Sequence, residues 1–480
     1  MRIQRAVRWV VWVWVGLHIA ACANTPPHAE VNAIYHRAAQ YHLPDRNPII
    51  VIPGILGSQL VDQASGRTVW GAFRGTYANP GRAEDAQLIA LPIADDTPFV
   101  ELEDGVKPDG VLEKLGIRLL GIPIDLRAYV GILTTLGAGG YRDESLGLNG
   151  IDYGGDHFTC FQFDYDWRRD NVENAARLKE FIDDRRTYIQ AEYKKRYGLE
   201  NAEVKFDIVA HSMGGLVTRY FLRYGDQPLP QDGSEPELSW AGADDVDKVV
   251  LVGTPNGGAT ESFEMLQTGY TRGRPILPAY PPYIMATFPS IYQLLPRPWQ
   301  NRIHFADDAA KPIGNFYDSA LWDKYGWGLS ADTPAQREFL SNALPSVKDP
   351  QARAQIARKY QAAELAHAQR FHRALDKPAK LPAGLELFLV AGDSTKTPQL
   401  ASVDRETGEV KISGYGPGDG SVPRYSALAD RRIDGNWKPE LVSPIDWSGV
   451  TFLPSTHFGL TNDPAFADNV LYELLEAPRD

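Results

Sequence analysis

Cysteine is scarce in this 480-residue chain: Cys22 and Cys160 are all there is. A disulfide framework is thereby excluded, and stability has to come from a buried apolar core. Positive charge is also short. Lys and Arg total 49 against 61 Asp and Glu, a formal charge of −12; nothing supplies the basic face that releases counterions from phosphate, so no nucleic-acid partner is expected. Low-complexity tracts and self-similar periods are missing too, which excludes solenoids and propellers. Metal-ligand spacing is absent: His367 and His372 lie five apart, off the i,i+4 face of a zinc helix, and are read as solvated helix residues. No metal and no cofactor is expected. Cys160, in the strand-like His157–Phe163 stretch, reads as a small buried thiol rather than a nucleophile.

Long hydrophobic runs occur only at the start. Arg2, Arg5 and Arg8 precede an apolar run from Trp9 to Ala21, shorter than the roughly 20 residues of a membrane span. It closes on Ile19-Ala20-Ala21-Cys22, which resembles a bacterial lipobox with Cys22 as the lipid-bearing mature N-terminus. Residues 1–21 are expected to be a lipoprotein-type signal peptide and 22–46 a tether. The protein is then exported to a bacterial cell envelope, as an outer-membrane lipoprotein. An ordinary signal peptide, or a short anchor, with a chance cysteine is the alternative. Loss of the three arginines would take the charge from −12 to −15.

From Pro48 the pattern becomes that of a folded domain, 47–480. Ile49–Ile52 is a β-branched run of the kind buried on both faces of a parallel sheet, and it ends in Pro53-Gly54-Ile55-Leu56-Gly57. Further strands are expected at Phe161–Tyr165, Val204–Ala210, Val249–Val252, Leu385–Ala391 and Val450–Leu453. Helical patterns fall between them: one carries Ala175, Leu178, Phe181, Ile182 and Ile189 on a single face, and another runs from Leu216 to Gly225. This alternation predicts an α/β fold with a mostly parallel sheet covered by helices, with its chemistry at the carboxyl ends of the strands. Two segments break the alternation, at about 66–150 and 262–380, and are read as cap or lid insertions. The second is rich in proline and aromatics between Ile276 and Trp299, then helical from Pro334 to Asp376.

Ala210-His211-Ser212-Met213-Gly214 sits between strand and helix, where a nucleophile elbow holds its serine in the open. The backbone amides of Met213 and of Ile55, in the loop after the first strand, are the candidate oxyanion donors. His457 is the one histidine placed to reach Ser212 from a C-terminal loop. His157, His211, His304, His367 and His372 all precede the late strands, and His211 is expected to point away from the cleft. For the acid, both Asp393 and Asp419 follow strands; generic hydrolase topology leans to Asp393.

Several segments together resemble the lecithin:cholesterol acyltransferase family, which includes lysosomal phospholipase A2. They are Val51-Ile52-Pro53-Gly54 with Gly57-Ser58-Gln59-Leu60, Tyr165-Asp166-Trp167-Arg168, Ala210 to Gly214, Gly253-Thr254-Pro255 with Gly257-Gly258, Pro289-Ser290 with Leu294-Leu295-Pro296, Gly418 to Pro423, and His457. The resemblance implies an α/β-hydrolase fold and places the acid in the Gly-Asp-Gly-Ser-Val element, at Asp419. It implies a Ser212–Asp419–His457 triad acting on lipid esters, by hydrolysis or O-acyl transfer. Tyr165-Asp166-Trp167-Arg168 reads as structural. The paired cysteines of animal members are missing, which opens the lipid specificity. An esterase for small soluble esters and a catalytically silent envelope lipoprotein are the competing readings, and the sequence names no protein partner.

Overall fold

Four consecutive β-branched residues with no exposed surface, Ile49–Ile52, make β1 of a six-stranded parallel sheet. The structure, a computed structural model, describes residues 34–71, 77–94, 102–112, 115–119, 122–126, 129–145, 157–270, 278–432 and 438–479. Cys22, the expected signal peptide and part of the expected tether lie outside these residues. The other strands are β2 (Cys160–Gln162), β3 (Phe206–His211), β4 (Val246–Val252), β5 (Glu386–Gly392) and β6 (Gly449–Leu453), in the order β6-β5-β4-β3-β1-β2. Every neighbouring pair is parallel.

Both faces of the sheet are buried, so its strands read as apolar runs rather than alternating ones. Ile49, Val51, Val209, Val250 and Val390 pack with the helices α1 (Val130–Ala138) and α6 (Pro464–Leu475). Ile50, Ile52, Ile208, Leu251 and Leu389 face α2 (Asn171–Tyr197) and α3 (Gly214–Tyr224). Each buried side chain of this size contributes about 1.5–3 kcal/mol. Asp170 caps α2 by accepting from the Val172 amide at 3.0 Å.

The helical stretch expected from Pro334 to Asp376 is two helices, α4 (Pro334–Ala343) and α5 (Pro350–Asp376). Asp349 accepts from the amides of Gln351 and Ala352 and starts the second, with Pro350 at its first turn. A second sheet had no counterpart in the sequence reading. It is four-stranded and includes the antiparallel hairpin Thr395–Val403 with Val410–Gly418, inserted directly after β5. Among the described residues, no helix is long and apolar enough to cross a membrane.

His367 and His372 are not solvated as expected. His372 is buried on α5, where its Nε2–H donates to the Gln293 carbonyl at 2.7 Å and its Nδ1 accepts from Tyr317 Oη at 2.7 Å. His367 Nε2 lies 2.8 Å from Asp170 Oδ2. Three aromatics of the proline-rich stretch are core: Tyr280, Phe288 and Tyr292 are buried, against Trp70, Trp167 and Trp322. Cys160 is a free, buried thiol.

Candidate active site

The carboxyl ends of β1, β3, β4 and β6 converge on Ser212. The turn after β3 puts Ser212 at φ +53°, a left-handed conformation that costs an L-residue energy and persists only where its surroundings fix it. They do: Ser212 N–H donates to Val252 C=O on β4 at 2.8 Å, and α3 begins two residues later. The loop after β1 abuts this turn so closely that a Cβ on Gly54 would lie 2.6 Å from Ser212 Cβ. Only glycine fits there.

Ser212 Oγ lies 3.0 Å from His457 Nε2, and His457 Nδ1 lies 2.7 Å from Asp419 Oδ2. All three residues are buried, with 8%, 8% and 2% of their surface exposed. A carboxylate only accepts, so the Nδ1 proton belongs to His457, and Nε2 carries the lone pair that faces the serine hydroxyl. The His457 backbone amide donates to the Asp419 carbonyl at 2.8 Å, which fixes the two residues to each other through the main chain as well. Burial alone would push the Asp419 carboxyl up. The adjoining His457 and the amides of Val422 (2.6 Å) and Ser421 (2.9 Å) outweigh it, and the carboxyl sits below its ordinary value.

Asp393 stays apart: its carboxylate is 3.8 Å from Arg424 and about a third exposed. The hairpin after β5 explains how two candidates arose. It carries the chain out and returns it beside its start, with Asp419 bridged to Thr395.

His211 is buried behind the base: its ring packs 4.7 Å from the His457 ring, and its Nε2–H donates to the His457 carbonyl at 3.2 Å. Burial and the neighbouring His457 lower its pKa to about 3, so it is neutral and adds no charge beside the base. Tyr129, which sequence reasoning missed, accepts from Gly54 N–H at 2.8 Å and reaches His211 Nδ1 at 3.5 Å. Among the described residues, the amides of Ile55 and Met213 meet no acceptor. No cluster of three or more His, Cys, Asp or Glu suited to a metal ion occurs among the described residues.

This topology, with its elbow and its chemistry at the strand ends, defines an α/β-hydrolase. Residues 147–337 match the family model described as lecithin:cholesterol acyltransferase, and over that span, less than half of the chain, the resemblance to the family is shown. The span carries Ser212 but neither Asp419 nor His457. The class of chemistry so defined is ester hydrolysis or acyl transfer. Among solved structures, the chain is similar to one described as the Tle4–Tli4 complex, with a TM-score of 0.54 at 15% identity over 90% of this chain and 99% of that one. Lipase 1 from Pelosinus fermentans aligns at 13% identity and a TM-score of 0.34 over 90% and 99% of the two chains. EstA from Clostridium botulinum aligns at 13% and 0.33 over 91% and 88%. At 15% identity the first likeness speaks to fold alone, and the scores of the other two carry no argument. Compared with curated proteins, the chain finds no match.

Proposed function

We propose that the chain is a serine-dependent acyl hydrolase or O-acyltransferase for lipid esters, working through an acyl-enzyme. The observation that carries this reading is the continuous hydrogen-bonded path from Ser212 Oγ through His457 to Asp419. His457 Nε2 takes the Ser212 proton as Oγ bonds to the ester carbonyl carbon, and Asp419 holds the imidazolium that forms. The carbonyl oxygen becomes an oxyanion, held by the amides of Ile55 and Met213. The tetrahedral intermediate breaks its bond to the alcohol oxygen, which leaves with the proton from His457. Water or a second alcohol then gives its proton to His457 and attacks the acyl carbon, and Ser212 departs with the proton returned.

The lipid preference has support beside the base. Phe458, 5.4 Å ring to ring from His457, is 45% exposed, and we place the acyl chain of the substrate against it. We assign the segments 66–150 and 262–380 as cap insertions over the sheet, apart from α1 (Val130–Ala138), which lies in the first of them and packs on the sheet itself. Cys22 is the proposed lipid attachment site, which would hold the enzyme on the bacterial envelope, next to its substrate.

Defined esters test the reading. Long-chain glycerophospholipid in vesicles and a short soluble ester are compared for release of fatty acid, with and without an added long-chain alcohol. Turnover that favours the long-chain ester supports it, and acyl transfer to the alcohol identifies the acceptor. Preference for the short ester would make the chain a small-ester esterase, and no turnover of either would leave a silent lipoprotein.

A further inference from the structure

The Tyr165-Asp166-Trp167-Arg168 motif has no role in the proton path, yet it reaches the loop that follows β1. Tyr165 Oη donates to the Pro53 carbonyl at 2.9 Å, and the Gly54 amide donates to Tyr129 Oη at 2.8 Å. That carbonyl and that amide are the two ends of one peptide unit. Two buried phenols therefore hold a single peptide plane from opposite sides. The next plane is fixed in turn, because Gly57 N–H donates to the Gly54 carbonyl at 3.0 Å. Gly54 C=O and Ile55 N–H lie antiparallel in a trans peptide, so the Ile55 amide points away from the Gly57 turn and is left without an acceptor among the described residues.

We infer that Tyr129 and Tyr165 are positioning residues that clamp the Pro53–Gly54 peptide so that the Ile55 amide is presented to the developing oxyanion. The inference rests on the reading of Ile55 as an oxyanion donor.

The clamp is needed because Gly54, required by the closeness of Ser212, puts little steric restraint on rotation of its own backbone. Leu56, two residues on, adopts φ +65°, and Trp70 Nε1 donates to its carbonyl at 2.9 Å, a second restraint on the same loop. The rest of the motif anchors the clamp. Tyr165 N–H donates to Ser58 Oγ at 3.1 Å, and Trp167 Nε1 donates to Ser58 C=O at 3.2 Å. Arg168, buried, pairs with Asp166 at 2.7 Å and Asp104 at 2.5 Å and donates to the Ile89 carbonyl at 2.8 Å. Those last partners belong to the segment between β1 and β2. The motif thus ties that segment to the oxyanion loop, and Tyr129 extends the tie through His211 to the backbone of the base.

Tyr129→Phe, Tyr165→Phe and the double variant test the clamp in the full chain. Tyr224→Phe is the control, because it removes a comparable buried bond, to the Ala374 carbonyl at 2.8 Å, away from the loop. A soluble ester gives kcat and KM. A trifluoromethyl ketone, which forms an oxyanionic adduct with the serine, gives Ki, and thermal unfolding gives Tm. Each single variant is expected to lose about 10–100-fold in kcat, below the loss from deleting a donor outright, with KM within about twofold and Ki raised by the factor kcat loses. The double variant is expected to lose little more than the worse single, because one peptide is released only once. Tyr224→Phe should lower Tm and spare kcat. Folded tyrosine variants that keep kcat and Ki within about threefold would overturn the clamp, as would a loss that tracks Tm across all variants, the control included. Should Tyr165→Phe fail to fold, Tyr129→Phe decides alone. An inactive parent would instead overturn the reading of the whole site.

Discussion

Replacing Asp419 by Asn changes almost nothing in volume and inverts one hydrogen bond. Asp419 Oδ1 accepts from the amides of Ser421 at 2.9 Å and Val422 at 2.6 Å, and an asparagine oxygen keeps both. Its amide nitrogen must then take the place of Oδ2, 2.7 Å from His457 Nδ1. An NH₂ group cannot accept the Nδ1 proton, so the imidazole adopts the other tautomer and turns an Nε2–H toward the Ser212 hydroxyl. The base is lost though every atom is in place. In serine proteases the same change costs about 10⁴-fold in kcat, which at 1.36 kcal/mol per tenfold is about 5.4 kcal/mol of barrier. Asp393→Asn removes a carboxylate that is about a third exposed and lies 3.8 Å from Arg424, and should stay near parent activity. Initial rates with a p-nitrophenyl ester, alongside Tm for each variant, make the comparison. An Asp419→Asn enzyme within tenfold of the parent would refute the reasoning, and more so if Asp393→Asn were the inactive one.

Three further outcomes follow from the same contacts. Gly253 sits at φ +57°, which strains any L side chain, and a Cβ there would press on His457 Nδ1 at 3.1 Å and Asp419 Oδ2 at 3.2 Å; Gly253→Ala should cost about 10²-fold in kcat, and an unchanged rate contradicts the geometry. His211 is lowered to about 3 and His372 well below its ordinary value, both chiefly by burial. The unfolded chain, titrating near about 6.5, then binds protons that the folded chain refuses, so stability is complete above that pH. It falls by about 1.4 kcal/mol per unit and per histidine below it, which denaturant titrations at pH 7.5, 6 and 5 would detect and a flat profile would deny. Cys22→Ala should move the protein from the membrane fraction to the soluble one or block its maturation, and unchanged fractionation with unchanged mass would remove the lipid anchor.

What could be read from the sequence was what local pattern encodes. Ile49–Ile52 and Val249–Val252 announce a parallel sheet because both faces are covered and the runs are wholly apolar. The turn at Ser212 is legible because its crowding demands small neighbours on either side. Asp419 was reachable only through the family motif: the Thr395–Gly418 hairpin separates it from β5 in sequence, while folding brings it back to Thr395. The hairpin itself, with glycine and proline breaking its alternation, left little periodic signal. The two tyrosines on the Pro53–Gly54 peptide were out of reach, since Tyr129 and Tyr165 meet it across 75 and 112 positions. His372 was misread for the same reason, because its partners Tyr317 and Gln293 lie far from it in sequence.

Covalent labelling tests the proposed chemistry most directly. A fluorophosphonate reacts only with a serine whose proton can be taken and whose oxyanion is held, so it reports on the path from Ser212 to His457 and Asp419 and on the amides opposite. One stoichiometric adduct is expected, mapped by peptide mass spectrometry to Ser212 and lost in a Ser212→Ala variant that keeps the parent Tm. An unlabelled protein, or an adduct on another serine such as Ser58, would contradict it.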